Sequence, residues 1–151
     1  MRAVVQRVEH ADVTVDDEVI ASIGSGLLVL VGAVNSDTPA DVSALAAKLV
    51  TMRIFSDADG KMNLSVADTG GSVLVVSQFT LLADIRRGRR PSFTAAAQPD
   101  HARSLIDRLV SEIGDRGVGV ESGRFGASMD VSLVNSGPVT IIVDVVEGQV
   151  A

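Results

Sequence analysis

The chain lacks cysteine, tryptophan and tyrosine among its 151 residues, and its only aromatic side chains are four phenylalanines. The absence of cysteine excludes disulfides, thiolate nucleophiles and cysteine-ligated metal sites. The scarcity of aromatic rings argues against a protein that binds single-stranded nucleic acid by stacking bases on aromatic platforms.

Histidine and long apolar runs are also scarce. The two histidines, His10 and His101, have no second histidine or His-Glu motif beside them, so a zinc site is not expected. We predict that both are solvated surface residues. No apolar run approaches the roughly 20 residues that span a bilayer, and charge interrupts the apolar pattern at the N-terminus, so neither a membrane span nor a classical signal peptide is expected.

The net charge of −6 disfavours a protein that coats RNA or DNA, because an acidic surface is repelled by phosphates. It remains compatible with a protein that touches only the end of an RNA through a local basic patch. The only concentrated positive charge lies in the segment 86–90, which contains four arginines. Such a segment is usually a solvated loop, but in this chain it is the best candidate for phosphate contact.

Hydrophobic periodicity and turn residues predict one domain, residues 1–151, of the α/β or α+β class. We expect a mainly antiparallel sheet, curled towards a barrel, with two principal helices. The first helix is predicted to begin at Thr38-Pro39, and the second to run from Pro99 to Gly114. The predicted strands are 2–8, a hairpin over 12–23 that turns at Asp16-Asp17, 27–34, 72–82, 118–121, 129–134 and 139–146. A further hairpin turn is predicted at 57–60.

Two segments combine polar residues in ways that local structure does not require. In the first, a valine-rich strand runs into Ser77-Gln78-Phe79-Thr80. One interpretation is a strand that emerges at the edge of the sheet. The other is a strand end that directs backbone N–H groups and short hydroxyls into a cleft, where they could hold the oxyanion of an ester hydrolysis.

The second segment is 135–140, Asn-Ser-Gly-Pro-Val-Thr. Its Asn-x-Gly-Pro core predicts a turn between two strands. Glycine before proline leaves the main chain bare, so another molecule can approach it closely. The sequence leaves the isomer of the Gly137–Pro138 bond open.

Together these segments resemble the D-aminoacyl-tRNA deacylase family, which carries a Ser-Gln-Phe-Thr motif and an Asn-x-Gly-Pro-Val-Thr motif. Both are intact here, at 77–80 and 135–140. The segments 1–8, 89–93 and 123–129 also match the family in place, so the resemblance runs the length of the chain. One departure is Ser128, where the family pattern has aspartate.

The resemblance implies a homodimer in which a cis Gly137–Pro138 of each subunit enters the active site of the other. The implied reaction is hydrolysis of the ester that joins a D-amino acid to the 3′ end of tRNA, in the cytoplasm and without a cofactor or metal. Main-chain atoms of Gly137 and Pro138 would occupy the space that an L side chain needs. Glycine on a wrong tRNA, tRNA(Ala), would pass this filter. No membrane or DNA partner is expected.

The resemblance also implies roles for the Ser77–Thr80 motif. Backbone N–H groups near Phe79 and Thr80 are expected at the oxyanion, and Gln78 is expected to orient the substrate or the water. The Thr80 hydroxyl is a disfavoured nucleophile, because no histidine or lysine base is paired with it. The ribose 2′-OH beside the ester is expected to help activate water instead.

Three further residues match family positions. Arg7 is expected to fix the Gly-Pro motif by hydrogen bonds. Phe125 and Met129 are expected to line a pocket for the terminal adenosine, and their alternative role is ordinary core packing.

Three other functions compete with a deacylase. A non-catalytic RNA-binding module that uses the segment 86–90 would not turn over ester in excess of itself. A small-ester hydrolase with a threonine or serine nucleophile would act without RNA and would lose activity on removal of one hydroxyl. In a purely structural dimer, the two intact motifs would be a coincidence.

Overall fold

The computed structural model describes all residues from Met1 to Ala151. It contains nine strands, two α-helices and one short 3₁₀ helix. The strands are β1 (Arg2–Val15), β2 (Glu18–Ile23), β3 (Gly26–Gly32), β4 (Phe55–Ser56), β5 (Met62–Leu64), β6 (Ser72–Ser77), β7 (Gly119–Ser122), β8 (Asp130–Val146) and β9 (Gln149–Val150). The helices are α1 (Pro39–Thr51), the 3₁₀ helix (Phe79–Leu82) and α2 (Pro99–Asp115).

Seven of the strands form one sheet in the order β7-β6-β3-β1-β8-β9, with β2 also paired to β1. β1 is antiparallel to β2, β3 and β8, whereas β6 is parallel to both β3 and β7. The predicted α/β fold with a curled sheet and two principal helices is confirmed, and the sheet forms a half-barrel. The parallel pairings were not predicted. They become possible because α1 and α2 supply the long crossovers that parallel neighbours need.

The two helices cover one face of the sheet. Val42, Leu45, Ala46 and Leu49 of α1 follow helical spacing and are fully buried. They join a cluster of 25 buried residues between the helices and the sheet. A second cluster of nine buried residues lies around the β1–β2 hairpin. The central strand β3 is therefore buried on both faces, as its unbroken apolar run predicts.

Several predicted boundaries are wrong. The segments 2–8 and 12–15 form one strand, because β1 pairs with β8 along most of its length. The strand predicted to reach residue 82 ends at Ser77, where the 3₁₀ helix takes over. The second helix continues to Asp115, because the N–H groups of residues 116 and 117 close its last turn on Ile113 and Gly114. No chain-reversing turn separates the predicted strands 129–134 and 139–146. Residues 130–146 form the single strand β8, which carries a bulge.

The two histidines differ in exposure. His10 is exposed on β1, as predicted. The prediction for His101 is wrong, because it is half-buried and its Nε2 lies 3.0 Å from the carbonyl oxygen of Asp37. No three or more His, Asp or Glu side chains are grouped so that they could hold a metal ion. Neither helix combines the length and apolar character needed to cross a membrane.

Asp41 ties the start of α1 to the C-terminal hairpin. Its Oδ2 accepts hydrogen bonds from Thr38 N (2.7 Å) and Thr38 Oγ1 (2.8 Å), and its Oδ1 accepts one from Gly148 N (2.9 Å). Burial alone would raise the pKa of this carboxyl, but the bonds from Gly148 and Thr38 outweigh it and hold the pKa below its ordinary value of 3.8. The folded state therefore favours the charged form.

We expect Asp41→Asn to lower the free energy of unfolding by about 2 kcal/mol at pH 7, because the amide must direct its NH₂ at one of these N–H donors. The charged Asp41 stabilises the fold fully above pH 3.8, and this contribution is lost as the pH falls through the lower folded pKa. The difference in the free energy of unfolding between the wild type and Asp41→Asn should therefore decrease in acid. Urea unfolding followed by circular dichroism measures this effect at pH 7 and pH 3.

The matched control is Asp107→Asn, which changes an exposed carboxylate on α2. It should leave stability within about 0.5 kcal/mol of the wild type. Equal stability of Asp41→Asn and Asp107→Asn at pH 7 would contradict the stabilising role given to the hydrogen bonds of Asp41.

Candidate active site

A cavity of about 430 Å³ lies at the carboxyl ends of the adjacent parallel strands β3 and β6. This is the position where ligands bind in parallel sheets, and the volume suits a small ligand. The loop that precedes α2 closes the cavity, since Ala97 N donates a 2.8 Å hydrogen bond to Ala33 O. The lining residues come from β3 and its end (Val31, Gly32, Ala33), the β6 end (Ser77, Gln78, Phe79), α2 with its preceding loop (Phe93, Ala96, Ala97, Gln98, Pro99, Ala102, Ile106) and the β7–β8 loop (Phe125, Gly126).

The Ser77–Thr80 motif forms the rim of this cavity. Gln78 N donates a 2.8 Å hydrogen bond to Val31 O, which fixes the motif against the end of β3. The Gln78 side chain donates from Nε2 to Thr80 Oγ1, and this is the only side-chain hydrogen bond of the threonine. Ser77, Gln78 and Phe79 line the cavity, whereas Thr80 is exposed beside it.

Phe79 and Thr80 are the first two residues of the 3₁₀ helix. Their N–H groups have no intrahelical acceptor, because the first turn of a helix leaves its donors unpaired. No side chain caps this helix. The rim of the cavity therefore presents backbone donors that can receive an oxygen atom carrying negative charge.

Aromatic side chains stand on two sides of the cavity. Phe79 and Phe93 pack edge to face, with ring centroids 5.0 Å apart. On the other side, the guanidinium of Arg103 lies 4.9 Å from the centre of the Phe125 ring. Phe125 thus lines the cavity. Met129 does not: it packs against the second buried cluster, so its alternative role in core packing fits the structure.

The Gly-Pro segment forms a bulge in β8. Gln6 pairs with Thr140 and Val8 pairs with Asn135, so the four residues 136–139 stand opposite the single residue Arg7. The Gly137–Pro138 bond is cis. Both residues are exposed, so the bulge presents bare main chain at the surface.

Two side chains hold this bulge. Arg7 donates from Nε to Ser136 O (2.9 Å) and from Nη1 to Ile54 O (2.5 Å). Asn135 Oδ1 accepts a bond from Val139 N (2.7 Å), and its Nδ2 donates to Val139 O (3.2 Å). The motif asparagine thus clamps the bulge from within, and the arginine anchors it to the neighbouring strand.

The bulge and the cavity lie far apart within one chain. Arg2 pairs with Gly32 at the cavity, and Arg7 pairs with Leu27 at the other end of β3. Five residues of extended strand separate these two levels by roughly 16 Å. The structure therefore brings Ser77, Gln78, Phe79 and Phe125 together, and separately Arg7, Gly137 and Pro138.

Sequence reasoning missed three contributors to these sites. Asn135 was visible as the first residue of its motif, but its clamping role depends on the bulge. Phe93 follows the arginine-rich segment and gave no periodic signal. Asn35 Oδ1 accepts a 3.0 Å bond from Gln98 N and so positions the start of α2, a contact over 63 residues that no local pattern indicates. Ser128 is exposed and does not line the cavity.

Solved structures resemble this fold. One described as a c-Myc DNA unwinding element binding protein superposes with a TM-score of 0.89 at 36% identity and covers 95% of this chain and 98% of its own. Another, described as a probable eukaryotic D-amino acid tRNA deacylase, has a TM-score of 0.81 at 19% identity and covers 93% of this chain and 97% of its own. The second likeness concerns the fold alone.

Sequence comparison is more specific. Residues 4–144 match the family model described as D-Tyr-tRNA(Tyr) deacylase. A D-aminoacyl-tRNA deacylase of Chloroflexus aurantiacus is 55% identical over 97% of this chain and 92% of its own length. One of Bacillus licheniformis is 57% identical over 95% of this chain and 98% of its own. The family resemblance drawn from the two motifs is confirmed, and the chain belongs to the D-Tyr-tRNA(Tyr) deacylase family.

Proposed function

We propose that residues 1–151 act as one deacylase domain that hydrolyses D-aminoacyl-tRNA to free D-amino acid and tRNA in the cytoplasm. Membership of the family makes the chain a hydrolase of aminoacyl-tRNA esters. The observation that carries the finer assignment is the start of the 3₁₀ helix beside the cavity, where no side chain caps the backbone N–H groups of Phe79 and Thr80.

The ester carbonyl of the substrate would lie against these N–H groups. Water attacks the carbonyl carbon, the oxygen becomes negative, and the rigid donors stabilise that charge without having to reorganise. The leaving group is the ribose oxygen of the terminal adenosine. The adenosine itself would lie towards Phe125, while Gln78 would orient the ester or the water and Ser77 would line the cavity beside it.

A second copy of the chain is required for the Gly-Pro bulge to take part. Val4 pairs with Leu30 on one side and Ile142 on the other, which forms an apolar row across the outer face of the sheet. Ile142 is 65% exposed. The Arg2–Asp144 ion pair lies on one side of this row and the Gln6–Thr140 pair on the other. An apolar centre with a polar rim is the composition of a protein interface.

The position of this row supports the exchange of bulges. Along β1, Val4 lies between Arg2, level with the cavity, and Arg7, level with the bulge. A two-fold axis through the row, in the plane of contact and oblique to the strands, would exchange the two levels and carry the partner's β8 over the ends of β3 and β6. The partner's bulge would then face the cavity of the first protomer, and the symmetric contact would fill both sites at once.

Chiral selection would follow from this arrangement. Main-chain atoms of Gly137 and Pro138 would fill the space beside the substrate α-carbon that an L side chain needs. Rejection by steric clash requires no recognition of the D side chain, so many D-amino acids would be accepted. Glycine, including glycine mischarged on tRNA(Ala), would also be hydrolysed.

The test is deacylation of D-Tyr-tRNA and L-Tyr-tRNA side by side, with enzyme far below substrate and EDTA in a parallel reaction. We expect multiple turnovers of the D-ester, resistance to EDTA, and survival of the L-ester. Survival of both esters would contradict the proposed function and favour a binding module. Hydrolysis of both esters would show that the chain is a hydrolase but would contradict the proposed steric exclusion of L side chains.

A further inference from the structure

The segment Arg86–Arg90, here called the arginine loop, is closed at its base by a two-residue bridge. Asp84 N donates to Ser92 O (2.8 Å), and Ser92 N donates to Asp84 O (2.9 Å). The bridge closes a short loop between the 3₁₀ helix and the segment leading into α2. All five residues of the arginine loop are exposed.

One of the four arginines is already paired. Arg86 donates from Nε to Asp84 Oδ1 (2.9 Å) and from Nη2 to Asp84 Oδ2 (2.7 Å). These hydrogen bonds hold the pKa of the Asp84 carboxyl below its usual range, so the pair stays charged at neutral pH. The side chains of Arg87, Arg89 and Arg90 make no hydrogen bond or ion pair within the chain.

The arginine loop is attached to the cavity rim. Phe93 follows its base directly and packs edge to face on Phe79, and both rings line the cavity. Arg90 is three residues from Phe93, so it lies within roughly 11 Å of the cavity wall along the chain. Across the cavity, Arg103 is also exposed. In a chain of net charge −6, basic groups thus stand beside the one cavity that would receive the end of an RNA.

We propose that Arg87, Arg89 and Arg90 bind the phosphates of the RNA strand that leads into the cavity. This inference rests on the proposed function. An arginine fork matches a phosphate group bidentately and carries no base specificity, so the contact would position any tRNA in the same way. The enzyme would obtain affinity for the polynucleotide from the arginine loop and reserve the cavity for the esterified nucleotide.

The test compares the wild type with R87A/R89A/R90A on two substrates, D-Tyr-tRNA and the D-tyrosyl ester of adenosine. On the tRNA we expect kcat/KM to fall by at least about tenfold through KM, with kcat retained. The slope of log kcat/KM against log salt concentration should become shallower by about 2, because three contacts with single-stranded phosphates are lost. On the adenosine ester, which has no phosphate, variant and wild type should be equal.

The matched control is K48A/K61A/R108A, which removes the same charge from three exposed positions elsewhere. It should keep the salt slope and the KM of the wild type. If kcat/KM of the arginine-loop variant fell equally on both substrates, the loop would act through the cavity wall. If kcat/KM fell on neither substrate, the loop would make no phosphate contact. Either result overturns the inference. A wild type inactive on both substrates would instead contradict the proposed function.

Discussion

Removal of the 2′-hydroxyl from the terminal adenosine of D-Tyr-tRNA is expected to slow its hydrolysis by about 10²–10⁴-fold, the range typical of a lost general acid or base. Thr80→Ala is expected to change the rate by less than about tenfold. The contrast follows if water, assisted by the ribose hydroxyl beside the ester, is the nucleophile. The threonine hydroxyl would then only support the orientation of Gln78.

The geometry around Thr80 favours this outcome. A threonine nucleophile needs a base that takes its proton, and the one side-chain contact of Thr80 Oγ1 is a donor, Gln78 Nε2. His101 bonds to the carbonyl of Asp37, and His10 pairs with Val134 at the far end of β1. Neither imidazole hydrogen-bonds the hydroxyl. The backbone N–H of residue 80, by contrast, survives the change to alanine.

Single-turnover rates with enzyme in excess would measure this contrast, since they isolate hydrolysis from product release. Thr80→Ser serves as the matched variant, because it keeps the hydroxyl. Loss of activity in Thr80→Ala with recovery in Thr80→Ser, in a protein of unchanged fold and dimer, would establish the hydroxyl as the catalytic group. The role given to the RNA would then have to be abandoned.

The parts of the fold that the sequence predicts are those with local causes. Thr38 and Pro39 begin α1 because a cap and a preset φ act within one turn, and Asp16-Asp17 turn the β1–β2 hairpin with positive φ at both residues. The parallel pairing of β3 and β6 depends on a crossover of about 40 residues. The hydrophobic pattern of β3 or of β6 does not indicate that the other strand lies beside it. The cavity depends on this pairing.

In the candidate site, too, the sequence predicts the features with local causes but not those that depend on long-range strand pairing. The two motifs predicted Ser77–Thr80 and Gly137–Pro138, but their separation by roughly 16 Å within one chain emerges only from the strand register. The turn predicted at Asn135 is a bulge because β8 pairs with β1 on both sides of this segment. Arg7 and the Asn135 side chain satisfy backbone polar groups of the bulge. The family match that points to Met129 does not indicate which buried cluster its side chain joins, and this depends on how the sheet curls.

Gly137→Ala is expected to lower the ratio of kcat/KM for D-Tyr-tRNA over L-Tyr-tRNA by about 10²-fold, because a displacement near 1 Å is enough to lose such a factor. Gly137 has a φ of +142°, which side-chain-bearing residues rarely adopt. A Cβ atom there would lie 2.8 Å from Val139 Cγ2 and 3.0 Å from Arg7 Nη2. Val139 is buried and Arg7 is anchored, so the bulge itself must move.

The displaced main chain would no longer fill the space that an L side chain needs, and L-Tyr-tRNA would become a substrate. Gly60→Ala is the matched control: residue 60 also has a positive φ, +75°, but a Cβ atom there meets nothing within 4 Å. It also places alanine at a positive φ, but far from the bulge, and should leave the ratio unchanged. An unaltered ratio in Gly137→Ala, in a dimer whose bulge has moved, would mean that L-esters are rejected by the walls of the cavity itself.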